Sequence, residues 1–441
     1  MVLAPVPVRY GMRARAAGLL GAVALVAVVA CQPSLDRVPT APGSDTSATD
    51  TTHTGGVARL TLAITVNYDQ TVATTAQALG WPAGRVPGAV VKARRGSDVQ
   101  IDSGVTDDSG RVAFTGLLTG GYNISVERVL SAAERAKLPA GDGTVALGGG
   151  LQARSDTAAT LHLPALVYPA ARGGLVVSEI FPYVYGQPNG DEYFFRDFIE
   201  IYNAADTVVP LAGKLVFEPF AGWFDYPTRY NCAAYAQFMG DTLGLWAQWI
   251  FAFPQDAAAL APGARVVIAT DAIDHTKYAQ GTVDLSHADY EFLGDADVDN
   301  PAVPNMVSVG PRPGDSFSFG HGFYFYEIRD GIAVGNAMDV GALPITRDVN
   351  NLPWVRIPRD DILDLVTFRT QYVNSSPDCR MPVPTDMDAA ENRSLPAGDY
   401  VFESIARRLI GYLPDGRPIL LKTHNSSIDF IAQEPTPGTI P

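Results

Sequence analysis

Arg59-Leu60-Thr61-Leu62-Ala63-Ile64-Thr65-Val66-Asn67-Tyr68 decides the fold class. Leu60, Leu62, Ile64, Val66 and Tyr68 fall on one face of an extended chain; Arg59, Thr61, Ala63, Thr65 and Asn67 fall on the other. Strict alternation with many β-branched residues marks a half-buried strand. The reading extends downstream. Residues 86–93 form a second strand, and Asp107-Asp108-Ser109-Gly110 turns the chain into 111–114. Tyr122, Ile124 and Val126 then alternate with Asn123, Ser125 and Glu127, and 161–166 closes the unit. Residues 132–157 begin as a short helix and continue as a Gly-rich loop, an insertion within this first domain.

A larger domain starts near residue 173. Strands are expected at 175–180 and 197–203. A strand-turn-strand follows over 249–269, and a strand with an irregular continuation over 352–368. The 441 residues suffice for two or three domains. Gly 42 and Pro 33 punctuate turns rather than helices. The expected fold is all-β, with many short strands.

The N-terminus carries Arg9, Arg13 and Arg15 and no acid, then an apolar run over 16–30 that ends in Val28-Val29-Ala30-Cys31. This resembles the lipobox of a bacterial lipoprotein signal. The resemblance implies cleavage of 1–30, lipid on Cys31 and export to the cell envelope. Gln32, where an Asp would resemble an inner-membrane retention signal, favours the outer membrane. A single transmembrane anchor is the rival reading, but the run is short for the ~20 residues a spanning helix needs. Residues 31–56, rich in Thr, Ser, Asp, Pro and Gly, read as the lipidated Cys and a flexible tether. The formal charge is −15, and −18 once Arg9, Arg13 and Arg15 are removed. Such a surface repels nucleic acid. Cys232 and Cys379 then remain as an even pair in an oxidising compartment, either bridged or as two separate buried thiols.

Gly104-Val105-Thr106-Asp107-Asp108-Ser109-Gly110-Arg111-Val112-Ala113-Phe114, with Leu117, Gly120 and Tyr122, resembles the carboxypeptidase-regulatory-like, or collagen-binding B-repeat, domain. That resemblance implies a prealbumin-like β-sandwich over 57–168, serving as a stalk. Residues 173–441 resemble the lamin-tail domain, an immunoglobulin-like sandwich. The resemblance rests on Val177-Ser178-Glu179-Ile180, on Phe198, Glu200, Tyr202 and Asn203 within 198–203, on Ser404 and Arg407, and on Asn425, Ser426, Asp429 and Phe430 leading to 435–438. The same stretch is similar to envelope lipoproteins known only as a domain of unknown function, through 271–275, 283–289 and 297–301. Its excess over an ordinary lamin tail lies in 219–248 and 271–350, where a specific function would sit.

Asp295, Asp297 and Asp299 alternate as in a Ca²⁺ loop, but Asn300 replaces the EF-hand glycine and Met306 its bidentate Glu. Asp271, Asp274, His275, Asp284, His287 and Asp289 could serve a transition metal. Solvated loop acids that cap turns are the alternative for both sets. Glu179, Glu200, Arg407, Arg408, Asn425 and Asp429 read as structural, pairing across the sandwich or holding turns. Phe220, Trp223, Phe224, Tyr226, Tyr230, Tyr235, Phe238, Trp246 and Trp249 supply either core packing or an aromatic platform for sugars or partners. No H-E-x-x-H, P-loop or G-x-S-x-G is present. The expectation is a non-catalytic binding or scaffolding lipoprotein with an envelope protein or glycan partner. A metal- or carbohydrate-binding accessory protein, or a hydrolase using the Asp/His loop, are the alternatives.

Overall fold

Gly110 shows how closely the sequence dictates the first sandwich. Its φ of 71° lies in the left-handed region, and a Cβ there would stand 2.9 Å from the carbonyl oxygen of Val66. Asp107 Oδ1 accepts from Ser109 N and Arg111 N at 2.8 and 2.9 Å, which fixes the turn read from the sequence. The computed structural model describes residues 58–96, 100–139, 144–182, 196–219, 237–238, 241–292, 299–311, 330–348, 351–368, 383–395, 402–413 and 415–439.

Seven strands make the first sandwich: β1 (Arg59–Tyr68), β2 (Val90–Arg95), β3 (Ile101–Val105), β4 (Arg111–Leu118), β5 (Gly120–Val129), β6 (Ala146–Ser155) and β7 (Ala159–Pro169). Their order is β3-β2-β5-β6-β7-β1-β4. β7 runs parallel to β1 from Ala159 to Val167, then pairs with β6 through Tyr168 and Pro169, so one strand serves both layers. Leu60, Leu62, Ile64 and Val66 pack on Val91, Ile124 and Val126 in the core. Each such fully buried side chain stabilises by roughly 1.5–3 kcal/mol.

Two features differ from expectation. A helix over Ala73–Leu79, ended by Gly80 in the left-handed conformation, fills the link between β1 and β2. The Gly-rich run is strand, not loop: Gly148, Gly149 and Gly150 lie inside β6. Only glycine fits there. A Cβ on Gly148 would stand 2.8 Å from Ile419 Cγ2, and one on Gly150 3.0 Å from Gly411 Cα.

The second sandwich contains β8 (Leu175–Phe181), β9 (Phe198–Asn203), β10 (Leu215–Pro219), β11 (Gly244–Ala252), β12 (Arg265–Ala269), β13 (Tyr290–Glu291), β14 (Val307–Ser308) and β15 (Asp330–Gly335). It continues with β16 (Ile345–Arg347), β17 (Pro353–Pro358), β18 (Ile362–Phe368), β19 (Ser404–Arg407), β20 (Leu409–Tyr412), β21 (Pro418–Leu420) and β22 (Phe430–Gln433). One sheet runs β16-β17-β11-β10-β15-β18, with β14 beside β11; the other runs β13-β12-β9-β8-β19-β22. Val177, Ile199, Ile201 and Ile405 of the second sheet meet Val216, Ile332, Val334 and Val366 of the first in the main core. The stretch 271–350 is therefore not wholly an excursion: β15 lies within it and joins β10 to β18 through the middle of a sheet.

β20 and β21 form a two-stranded hairpin that seats on β6 of the first sandwich. Ala171 N donates to Leu420 O at 2.8 Å and Lys422 N to Pro169 O at 3.0 Å. The glycines of β6 let the hairpin backbone approach closely enough for these contacts.

Candidate functional site

The residues with lamin-tail-like spacing gather on the six-stranded sheet, but on its two faces they do different work. Arg407 points inward. Its Nη2 pairs with Asp364 Oδ2 at 2.7 Å, its Nη1 with Asp429 Oδ2 at 3.3 Å, and its Nε donates to Val177 O at 2.8 Å. The guanidinium lies 4.5 Å from the Phe430 ring centroid. Lys422 Nζ stands 3.0 Å from the other oxygen of Asp364. Asp364 belongs to β18 of the opposite sheet, so this buried network ties the layers together. Burial works against the Asp364 charge, but Arg407 and Lys422 outweigh it and hold its carboxyl below the usual range. Asp429 is pushed up by burial, and the more distant Arg407 only partly offsets this.

Glu179 and Glu200 point outward as direct cross-strand partners on β8 and β9, 2% and 1% exposed. Glu179 accepts from the Ser404 hydroxyl, from Thr436 N at 2.9 Å and from Thr436 Oγ1 at 3.0 Å. Glu200 accepts from Ser178 Oγ and Gly438 N, each at 2.8 Å, and Arg265 Nε stands 3.7 Å away. Burial pushes Glu200 up to about 7; the Ser178 hydroxyl and Arg265 oppose this, and the charge of Glu179 adds to it. Burial raises Glu179 as well. The sequence reading paired these glutamates with arginines across the sandwich. Instead their chief partners are hydroxyls and the backbone of 436–438, with Arg265 at the margin.

The remaining motif residues hold backbone. Asn203 Nδ2 donates to Leu260 O and Thr207 O at 2.8 and 3.0 Å. Asn425 accepts from Ser427 N at 3.1 Å and caps the short helix Ser426–Asp429. The Phe198 ring packs at 5.8 Å from Phe181, and Tyr202 Oη donates to Pro418 O at 3.0 Å.

Three of the candidate metal ligands accept from backbone N–H groups. Asp274 accepts from Thr276 N at 3.2 Å, Asp284 from Ser286 N at 2.9 Å and Asp289 from Val267 N at 2.9 Å. His275 is buried, with Nε2 donating to Asp271 O at 2.8 Å, and burial lowers its pKa. His287 is exposed. Asp299 accepts from Asn305 Nδ2 at 2.8 Å. Among the described residues no three His, Cys, Asp or Glu side chains converge as a metal site. Asp295, Asp297, Cys31, Cys232, Cys379 and the aromatics Phe220, Trp223, Phe224, Tyr226, Tyr230 and Tyr235 lie outside the described residues. Phe238 meets Trp246 edge-on at 5.2 Å and Trp354 at 5.3 Å, and Trp246 Nε1 donates to Asp241 at 3.0 Å.

Sequence reasoning missed Asp364, Glu291 and Asp388. Buried Glu291 bridges two loop residues by accepting from Ala272 N and Asn300 N, each at 3.0 Å. Asp388 accepts from Thr367 Oγ1 at 2.7 Å and Ser426 Oγ at 2.6 Å. The available signal was an acid set in an apolar run, as in Ile362-Leu363-Asp364-Leu365-Val366.

This geometry defines an all-β protein whose larger sandwich carries buried polar ties on both faces of one sheet. Residues 261–329 match the family described as Protein of unknown function (DUF4876). A crystal structure of a DUF4876 family protein from Bacteroides thetaiotaomicron VPI-5482 is similar, with 17% identity over 87% of this chain and 98% of that one and a TM-score of 0.52. At that identity the likeness is one of fold. A streptococcal ancillary pilin (14% identity, 58% of this chain and 64% of that one) and BcpA, the major pilin subunit of Bacillus cereus (10%, 70% and 95%), also match. Their TM-scores of 0.15 and 0.17 carry no argument about this fold. No curated protein matches.

Proposed function

We propose that this chain is a lipid-anchored envelope protein whose sandwiches act as a non-catalytic binding or scaffolding module, accessory to a surface receptor or another envelope partner. The observation that carries this reading is the engagement of its motif residues by the fold. Glu179, Glu200, Arg407 and Asp429 are buried and bonded to neighbouring strands or to the 436–438 backbone. The address rests on Val28-Val29-Ala30-Cys31. In this reading the first sandwich is a carboxypeptidase-regulatory-like stalk and the second a lamin-tail-like head on the outer membrane. Crosslinking on intact cells followed by mass spectrometry tests it. A reproducible envelope partner is expected, and recovery of none would count against the proposal.

A further inference from the structure

Among the described residues, the outer face of the six-stranded sheet has three covers. Ala272, Leu285 and Val303 pack on Phe181, Phe198 and Val267 at one end. The β20–β21 hairpin packs on Val176 and Tyr202 at the other. Between them Glu179 and Glu200 lie under a strap, residues 434–439. Thr439 N donates to Thr436 O at 3.0 Å, and Gly438 has a φ of 79°. With Pro437 before it, this is the pattern of a type II turn. The turn presents Gly438 N to Glu200 while Thr436 holds Glu179 through N and Oγ1, and Arg265 Nη1 donates to Gly438 O at 3.0 Å.

We propose that the strap is a proton-operated latch, closing over the Glu179–Glu200 pair when the pair carries a proton and loosening when both carboxylates are ionised. Closure takes two adjacent carboxyl groups out of water, which penalises their charged forms, and their mutual repulsion adds to that. Among the described residues the charged groups facing the pair are few. Glu179 comes from β8, Glu200 from β9 and Arg265 from β12. Glu403, beside Ser404 on β19, accepts from Phe402 N instead, and Arg407 faces the opposite sheet. Glu434, at the start of the strap, is exposed. Burial raises both glutamates, Glu200 from 4.5 to about 7, and outweighs the hydrogen bonds from Thr436 and Gly438, which favour the charged forms. A closed form that binds protons more tightly closes more firmly as pH falls.

Amide hydrogen exchange on the full chain, expressed as protection factors at roughly pH 5.5 and 8.5, tests the latch. Protection at Thr436 and Gly438 should fall by about tenfold or more at the higher pH, while Ile201 in β9 keeps its protection. Glu179→Gln with Glu200→Gln should keep the strap protected at both pH values. Wild-type protection that ignores pH, or a pH response surviving in the double variant, would overturn the proposal. Should the double variant not fold, Thr436→Val severs one strap contact and leaves both carboxylates in place. It should lower strap protection at the acid pH, and unchanged protection would equally overturn the latch.

Discussion

Arg407 and Glu200 sit on two sides of one sheet, and opposite electrostatics govern them. Arg407→Ala would leave buried Asp364 with Lys422 and the Val177 N–H, at a cost of ~3–5 kcal/mol. Chemical denaturation should show that loss, and a double-mutant cycle with Asp364→Asn should recover much of it as coupling. Glu200 behaves in reverse. Its folded pKa exceeds its unfolded one, so between 4.5 and about 7 the unfolded chain binds fewer protons, and stability falls as pH rises through that window. Glu200→Gln should flatten this part of the melting-temperature profile and gain up to roughly 3 kcal/mol above it. Both residues were visible in the sequence as motif members, but their partners were not. Asp364 lies 43 residues before Arg407 and Gly438 lies 238 after Glu200, separations over which local pattern carries no information.

At the scale of elements, alternation made β1, β5 and β9 legible because one face of each meets a core and the period-two signal survives. It failed at β6. Gly148-Gly149-Gly150 has no side-chain period; pairing with β5 makes the run a strand, and its glycines are explained by a hairpin more than 250 residues away in the chain. Gly150→Val would drive a side chain into the Gly411 backbone, 3.0 Å from where the Cβ would sit. The expected cost is ~1–3 kcal/mol. Calorimetry should resolve two transitions where the wild type shows one. In the Asp/His segment, acids at turn starts satisfy backbone N–H groups, the alternative that the sequence also offered, and their spacing resembles a ligand set.

For the whole molecule, the lipid address is the decisive expectation. Cys31→Ser should move the protein from the membrane to the soluble fraction with its circular dichroism unchanged; retention in the membrane would remove the anchor from the proposal. The pairing of β1 with β7 has a mechanical consequence. They lie side by side and parallel from Leu60 to Tyr68 against Ala159 to Val167. A pull entering ahead of β1 and leaving after β7, toward the second sandwich, loads every rung of that ladder at once in shear rather than peeling the rungs one by one. A domain wired this way resists traction along its length. Single-molecule stretching should find a high rupture force, sharply lowered by Ala63→Pro, which strips a donor from the middle of the ladder.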